Sequence, residues 1–218
     1  WKRESGILVM HDRTWFARHP VEVGFDLLGF ILQVEVDGEI ASGRIVELEA
    51  YGGPEDQAAH SNRLKAAKPV LGGKPGHLYV YRSYGIHTMA NVVSHEPGRT
   101  GGVLIRALEP VAGIDIQERR RGSTVPRLLT RGPGVLTQAL GLTLDDNRYD
   151  VCAGGRIQLL PGEPPAQVLA GPRIGISRSI DHPWRLFDAE SLFVSAHRRG
   201  EEVTRDSIPE LIQAGNIP

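Results

Sequence analysis

The sequence predicts a mixed α+β fold, and three observations lead there. Runs with strand periodicity follow one another directly, as at residues 31–36 and 43–51, instead of alternating strictly with helices. Helical periodicity is confined to short stretches such as 20–29 and 132–140. No internal repeat, long low-complexity linker or break in composition divides the 218 residues, so one domain over 1–218 is expected.

Taken in order, residues 20–29 (PVEVGFDLLG) place Val23, Leu27 and Leu28 on one helical face and end on Gly29, a helix stop. Residues 31–36 and 43–51 read as strands joined around Asp37-Gly38, a dipeptide suited to a tight hairpin. Residues 52–76 hold three prolines and five glycines and read as a loop. Two further β-runs, 77–83 and 86–93, meet sharply at Tyr84-Gly85. Residues 103–108 read as a strand after the turn-rich EPGRTGG. Residues 110–121 and 132–140 read as helices, the second opening on Pro133, where the missing N–H is one that the helix does not use. Residues 156–160, 168–177 and 192–196 read as strands of a return sheet.

The apolar share of 40% and charged share of 23% are ordinary for a globular protein. No window approaches 18 uninterrupted apolar residues, so no membrane span is expected. Residues 1–13 show no basic-then-apolar-then-small pattern, so secretion is not expected. The one cysteine, Cys152, excludes an intrachain disulfide and a multi-cysteine zinc site. That fits a cytoplasmic location, although an extracellular chain without disulfides would look the same. The net charge of −1 conceals an asymmetry: residues 60–135 carry 12 Lys and Arg against 4 Asp and Glu, and the remainder carries 13 against 22. A basic middle between acidic ends points to a polyanion partner. A solvated helix face is the alternative, because Arg119, Arg120 and Arg121 form a compact run.

Three segments hold polar and aromatic residues that look out of place. In RIVELEAY, strand alternation puts Glu47, Glu49 and Tyr51 on one face, opposite Val46, Leu48 and Ala50. Taken alone, that acidic face reads as a solvated outer surface. In HLYVYRSYGIHTMANVV, Tyr79, Tyr81 and Tyr84 are three of the chain's five tyrosines. A packed aromatic cluster is the plain explanation for the first two. Tyr84 at a hairpin tip suits a wedge between base pairs better than a core position. Asn91 interrupts the apolar run MANVV and is either a structural hydrogen-bonder or a ligand reader. In VLIRALEP, Arg106 follows three apolar residues, and a buried Arg nearly always pairs with a carboxylate, for which Glu49 is the natural candidate. Such a pair is a structural ion pair or a general base held ready beside its guanidinium.

With these segments side by side, the chain resembles the alkyladenine (3-methyladenine) DNA glycosylase family from about Phe16 to Ser195. The most specific stretches are VELEAYGGPEDQAAHS, GKPGHLYVYRSYGIHTMANVV, VLIRALEPVAG and RGPGVLTQALGL, in that order. The resemblance implies one mixed domain with a curved, largely antiparallel sheet, surrounding helices and a protruding β-hairpin that inserts into DNA. It implies a monofunctional enzyme that flips out and hydrolytically excises alkylated or deaminated purines during base excision repair. It further implies action as a monomer on double-stranded DNA, without cofactor or metal, in the cytoplasm at the nucleoid or, in a eukaryote, in the nucleus. By position, Glu49 is expected to activate the attacking water and Arg106 to help hold it. Tyr51, His60 and Tyr81 are expected to stack on the flipped base, Asn91 to discriminate against guanine's exocyclic amino group, and Tyr84 to fill the gap in the duplex. After His60 the family usually carries Arg-Thr-x-Arg-Asn and then Met-Phe, whereas this chain reads SNRLKAAKPVLGGKPG. Its Lys65 and Lys68, with Lys74, are expected to contact phosphates.

Two rival readings have distinct signatures. A metal-dependent hydrolase would use Asp56 and His60, four apart, with Glu49 nearby, but no third His or Cys completes the set locally. A noncatalytic binder of distorted DNA has no use for a desolvated carboxylate at Glu49.

Overall fold

The computed structural model describes residues 12–195 and 199–215. Ala196 and nearly all of the N-terminal stretch considered above lie outside the described residues. Among those described, one sheet contains β1 (Ile31–Val36), β2 (Glu39–Gly52), β3 (Leu78–Ser83), β4 (His87–Val93), β5 (Gly101–Ala112), β6 (Ile157–Leu160), β7 (Val168–Gly171), β8 (Arg185–Asp188) and β9 (Glu201–Val203). The helices are α1 (Pro20–Leu27), α2 (His60–Arg63), α3 (Lys68–Leu71), α4 (Ile114–Arg121), α5 (Pro126–Leu129), α6 (Pro133–Leu140) and α7 (Ile208–Ala214). The fold is α+β as expected, and every strand pairing in it is antiparallel. No helix among the described residues is long and apolar enough to cross a membrane.

β2 is the spine of the sheet. Its 14 residues pair with β5 along one edge, and along the other with β1 and then with β8. The order across the sheet is β3-β4-β5-β2-β8-β7-β9, with β6 joined through β1. Register shifts at Ser42/Gly43 and on both sides of Glu47 let one strand serve two successive partners, because a bulge bends and twists the strand locally. They also break simple alternation. Leu48 and Ala50 join the main core with Ile45, while Val46 packs separately with Ala107, Phe187 and Val194.

The two tight turns follow local chemistry. Asp37 and Gly38 both have positive φ, 53° and 79°, as a two-residue hairpin with right-handed strand twist requires. The turn after β3 repeats this with Tyr84 at 50° and Gly85 at 73°, closed by the Ile86 N–H donating to Ser83 O at 3.1 Å. A tyrosine in that region is an outlier, because its Cβ crowds the backbone. α1 starts on a capping box: His19 Nδ1 accepts from the Val21 N–H at 3.2 Å, and the Glu22 carboxylate accepts from the His19 N–H at 3.2 Å. Its Val21, Val23 and Leu27 are buried in the main core, where α1 packs on β2 and β5.

Several expectations need correction. The strand expected at 103–108 runs from Gly101 to Ala112, so residues 110–112 are not helical and α4 begins only at Ile114. Pro110 is tolerated because it lies at the Ser42/Gly43 register shift. The strand expected at 168–177 stops at Gly171, where Pro172 has no N–H for the ladder. Residues 192–195 are not a strand, and β8 and β9 were not anticipated. The return strands belong to the same sheet as the rest. The loop at 52–76 contains the one-turn helices α2 and α3.

Candidate active site

β2, the β3–β4 hairpin and β5 converge on one cavity of about 430 Å³. Glu49, Tyr51, His60, Tyr81, Tyr84, Asn91 and Arg106 all border it, so all seven residues singled out from the sequence are brought together.

The acidic face of β2 is not a solvated surface. Glu47 and Glu49 are both 0% exposed, because residues far along the chain lie across that face. The two carboxylates are treated differently. Glu47 is saturated: Oε1 accepts from Arg185 Nε at 2.7 Å, Ser195 Oγ at 2.6 Å and Arg106 Nε at 3.3 Å, and Oε2 accepts from the Ser195 N–H at 2.8 Å. Burial alone would push its carboxyl up. The guanidinium groups of Arg185 and Arg106 and the Ser195 hydrogen bonds outweigh this and hold it below its ordinary value. Glu49 borders the cavity. Its Oε1 accepts from the Ile174 N–H at 2.6 Å, and its Oε2 accepts from the Tyr51 hydroxyl at 2.7 Å and lies 3.2 Å from Arg106 Nη1. Arg106 thus pairs with Glu49, as the sequence suggested, and bridges to Glu47 as well.

Aromatic rings form the wall. His60 opens α2, and its ring centroid lies 4.5 Å from that of Tyr81, while Tyr79 and Tyr81 stack at 5.2 Å. His60 Nδ1 is 3.1 Å from the Tyr79 hydroxyl. Burial, and secondarily Arg63, lowers the His60 pKa and favours a neutral ring. Burial also pushes the Tyr79 and Tyr81 hydroxyls up to about 12. Tyr51 is raised well above its ordinary value by burial and then by Glu49, so its hydroxyl remains a proton donor to that carboxylate. Asn91 is buried, and its Nδ2 donates to Tyr79 O at 3.1 Å, so it is a structural hydrogen-bonder while also bordering the cavity. Tyr84, by contrast, is 88% exposed at the hairpin tip.

A family profile described as methylpurine-DNA glycosylase matches residues 14–192. The chain belongs to that family. A protein of Chlorobaculum tepidum is 46% identical over 180 residues, covering 80% of this chain and 85% of its own. One from Mycolicibacterium fortuitum is 46% identical over 177 residues, covering 78% and 91%, and one from Granulibacter bethesdensis is 45% identical over 192 residues, covering 86% and 87%. All three carry, provisionally, the name 3-methyladenine DNA glycosylase. The protein is therefore a DNA glycosylase, a DNA-binding hydrolase of the repair of alkylated bases.

Asp56 in this glycosylase is committed elsewhere than to a metal. Its two oxygens accept from Arg173 Nη1 and Nη2 at 2.7 and 2.8 Å and from the Gly52 and Ala58 N–H groups, and no lone pair is left facing His60. The run Arg119–Arg121 on α4 is likewise occupied: Arg119 pairs with Glu39, Arg120 donates to Ala139 O, and Arg121 donates to Gln138. Those three cations are held by protein partners, with Arg120 and Arg121 only partly exposed, whereas Arg63 borders the cavity and Lys65, Lys68 and Lys74 are exposed on the adjoining loop.

Sequence reasoning missed Tyr79 as a site residue, although alternation along β3 places it on the face of Tyr81. It also missed the Ile174 N–H, because the local pattern reads as strand from 168 to 177. The local signal against that assignment is Pro172. Nothing in the local sequence marks Arg173 as the partner of Asp56, 117 positions away.

Proposed function

We propose that this glycosylase works as a monomer on double-stranded DNA, flipping out and hydrolysing purines of the 3-methyladenine, 7-methylguanine, hypoxanthine and ethenoadenine class. The observation that carries the reading is a carboxylate, Glu49, at the floor of an aromatic-walled cavity whose edge is an exposed hairpin tip. The cavity size falls in the range of small-molecule sites, about 300–1,000 Å³. Rotating a nucleotide out of the duplex costs roughly a few kcal/mol. Stacking on Tyr51, His60 and Tyr81 offsets much of it, at about 1–3 kcal/mol per base–aromatic contact. Tyr84 occupies the vacated stack and slows the base's return. Asn91, tied to the backbone of Tyr79, presents a rigid edge that disfavours a guanine-type amino group, so neutral guanine is left in place while 7-methylguanine, whose cationic base leaves readily, is still released. Lys65, Lys68 and Lys74 contact phosphates.

In the chemical step, the oxygen of a water held by Glu49 and Arg106 bonds to the sugar carbon. The glycosidic C–N bond breaks with its electron pair leaving on the base, and Glu49 takes the water's proton. Alkylation at N3 or N7 makes the base cationic, a better leaving group and a better stacking partner. No lysine among the described residues borders the cavity, which fits hydrolysis by water without an enzyme-bound imine. The test is incubation with duplexes bearing each lesion, followed by identification of the released base. Free purine and an unbroken abasic strand are expected; absence of base release from every such duplex refutes the reading.

A further inference from the structure

Arg173 lies beneath the site with its side chain fully buried. Its fork pairs with both oxygens of Asp56, Nη1 also donates to Ala50 O at 2.9 Å, and Nη2 also donates to Ser179 O at 3.1 Å. The guanidinium carbon lies over the Tyr51 ring, 4.5 Å from its centroid. Asp56 in turn holds the Gly52 and Ala58 N–H groups. One ion pair therefore ties together the end of β2, the loop leading to His60 and the loop that follows β7. The next residue after Arg173 is Ile174, whose N–H holds Glu49 Oε1.

We infer that Arg173, through Asp56, is a positioning residue that aims the Glu49 carboxylate and the Tyr51 ring into the cavity. The inference rests on the reading of Glu49 as the base for the attacking water. Of the groups that hold Glu49, Arg106 stands on β5, but the Tyr51 hydroxyl belongs to the ring that Arg173 lies over and the Ile174 N–H to the residue that follows Arg173. Only a guanidinium fork can pair with two carboxylate oxygens, reach two carbonyls and sit over a ring at once, so lysine is not an equivalent. Stability alone does not account for the pair, because a buried ion pair is often replaced by apolar groups without loss of stability.

The test compares the full chain with Arg173→Lys and with the double variant Arg173→Met/Asp56→Asn, in which Asn keeps an acceptor for the backbone. Single-turnover excision is measured on hypoxanthine and on 7-methylguanine duplexes, beside affinity for a duplex carrying a reduced abasic analogue and thermal melting. Misplacing a reacting group by 1 Å costs about 10²-fold in rate. A loss of that order is expected on hypoxanthine, a smaller one on 7-methylguanine, whose cationic base leaves with less help, and no change in affinity for the abasic duplex. If Arg173→Lys does not fold, the double variant carries the comparison. Unchanged rates, or equal losses on both lesions that follow the folded fraction, overturn the inference. Glu49→Gln run in parallel separates the two levels: if it still excises hypoxanthine, the reading of the site fails and the inference with it. If it is inactive while folded Arg173 variants are fully active, only the inference fails.

Discussion

The tip of the β3–β4 hairpin and the floor on β2 border the same cavity, yet they are built in opposite ways. At the tip, Tyr84 is 88% and Ile86 73% exposed, and the turn closes through one backbone hydrogen bond. On the floor, Glu47, Glu49, Arg106 and Arg185 are buried, and each carboxylate oxygen has a partner. A tip of this kind can change without disturbing the core, while the floor couples fold and chemistry, since any truncation there strands a charge. On the proposed reading, the duplex is opened by the part of the molecule that is free, and the bond is broken by the part that is held.

Glu49→Gln attacks the floor where that division matters most. General-base catalysis contributes about 10²–10⁴-fold, and a loss of that order is expected in single-turnover excision of hypoxanthine, with duplex binding retained. A rate close to that of the parent would remove Glu49 from the mechanism. Glu47→Gln tests the other half of the floor. It leaves Arg106 and Arg185 short of a counter-charge, and breaking a buried pair in this way costs about 3–5 kcal/mol. Urea unfolding reads the loss directly. Undiminished stability would mean that Glu49 alone can hold Arg106 and that Arg185 needs no carboxylate.

The same contrast explains what was legible in the sequence. The turns at Asp37-Gly38 and Tyr84-Gly85 are governed by two adjacent residues, so their position could be read locally. Arg106 announced a buried carboxylate partner because a cation inside an apolar strand has few alternatives. The burial of Glu47 and Glu49 was not legible, because the groups that cover them, Ser195 and Ile174, lie 148 and 125 positions away. Alternation along β2 failed at Val46 because bulges flank Glu47, and bulges have no reliable local signature. β8 and β9 are only four and three residues long, too short for periodicity to register.

A region between tip and floor in character sharpens the comparison through pH. His19 caps α1 by accepting a hydrogen bond at Nδ1, and burial, with Arg99 nearby, lowers its pKa from 6.5 to about 4. Above pH 6.5 the ring is neutral in both the folded and unfolded chain. As pH falls from 6.5 to about 4 the unfolded chain takes up the proton and the fold does not, so stability is lost over that window and no further below it. At about 1.4 kcal/mol per unit the loss amounts to roughly 3 kcal/mol. His19→Asn keeps a capping acceptor without titrating. The difference between the two stability–pH curves isolates His19 from His60, His77 and His182, which burial shifts in the same direction. Parallel curves would show that the cap carries no pH dependence.

Tyr84→Ser has the smallest expected effect and separates opening of the duplex from chemistry most cleanly. The side chain packs against little of the protein, and its positive φ is strained for an aromatic residue, so the melting temperature should stay the same. If Tyr84 holds the vacated stack, its loss forfeits about 1–3 kcal/mol of stacking and shifts the nucleotide back into the duplex. Excision from duplex DNA then falls by roughly 5- to 150-fold, that energy expressed as a population. Excision from a single strand, where little stacking must be broken, falls much less. The ratio of the two rates is the measurement. A core tyrosine would lower both rates together and depress the melting temperature, because truncating a packed ring costs several kcal/mol. An unchanged duplex-to-single-strand ratio in a protein of unchanged stability would leave the tip without a part in opening the duplex, and the division between tip and floor would then rest on exposure alone.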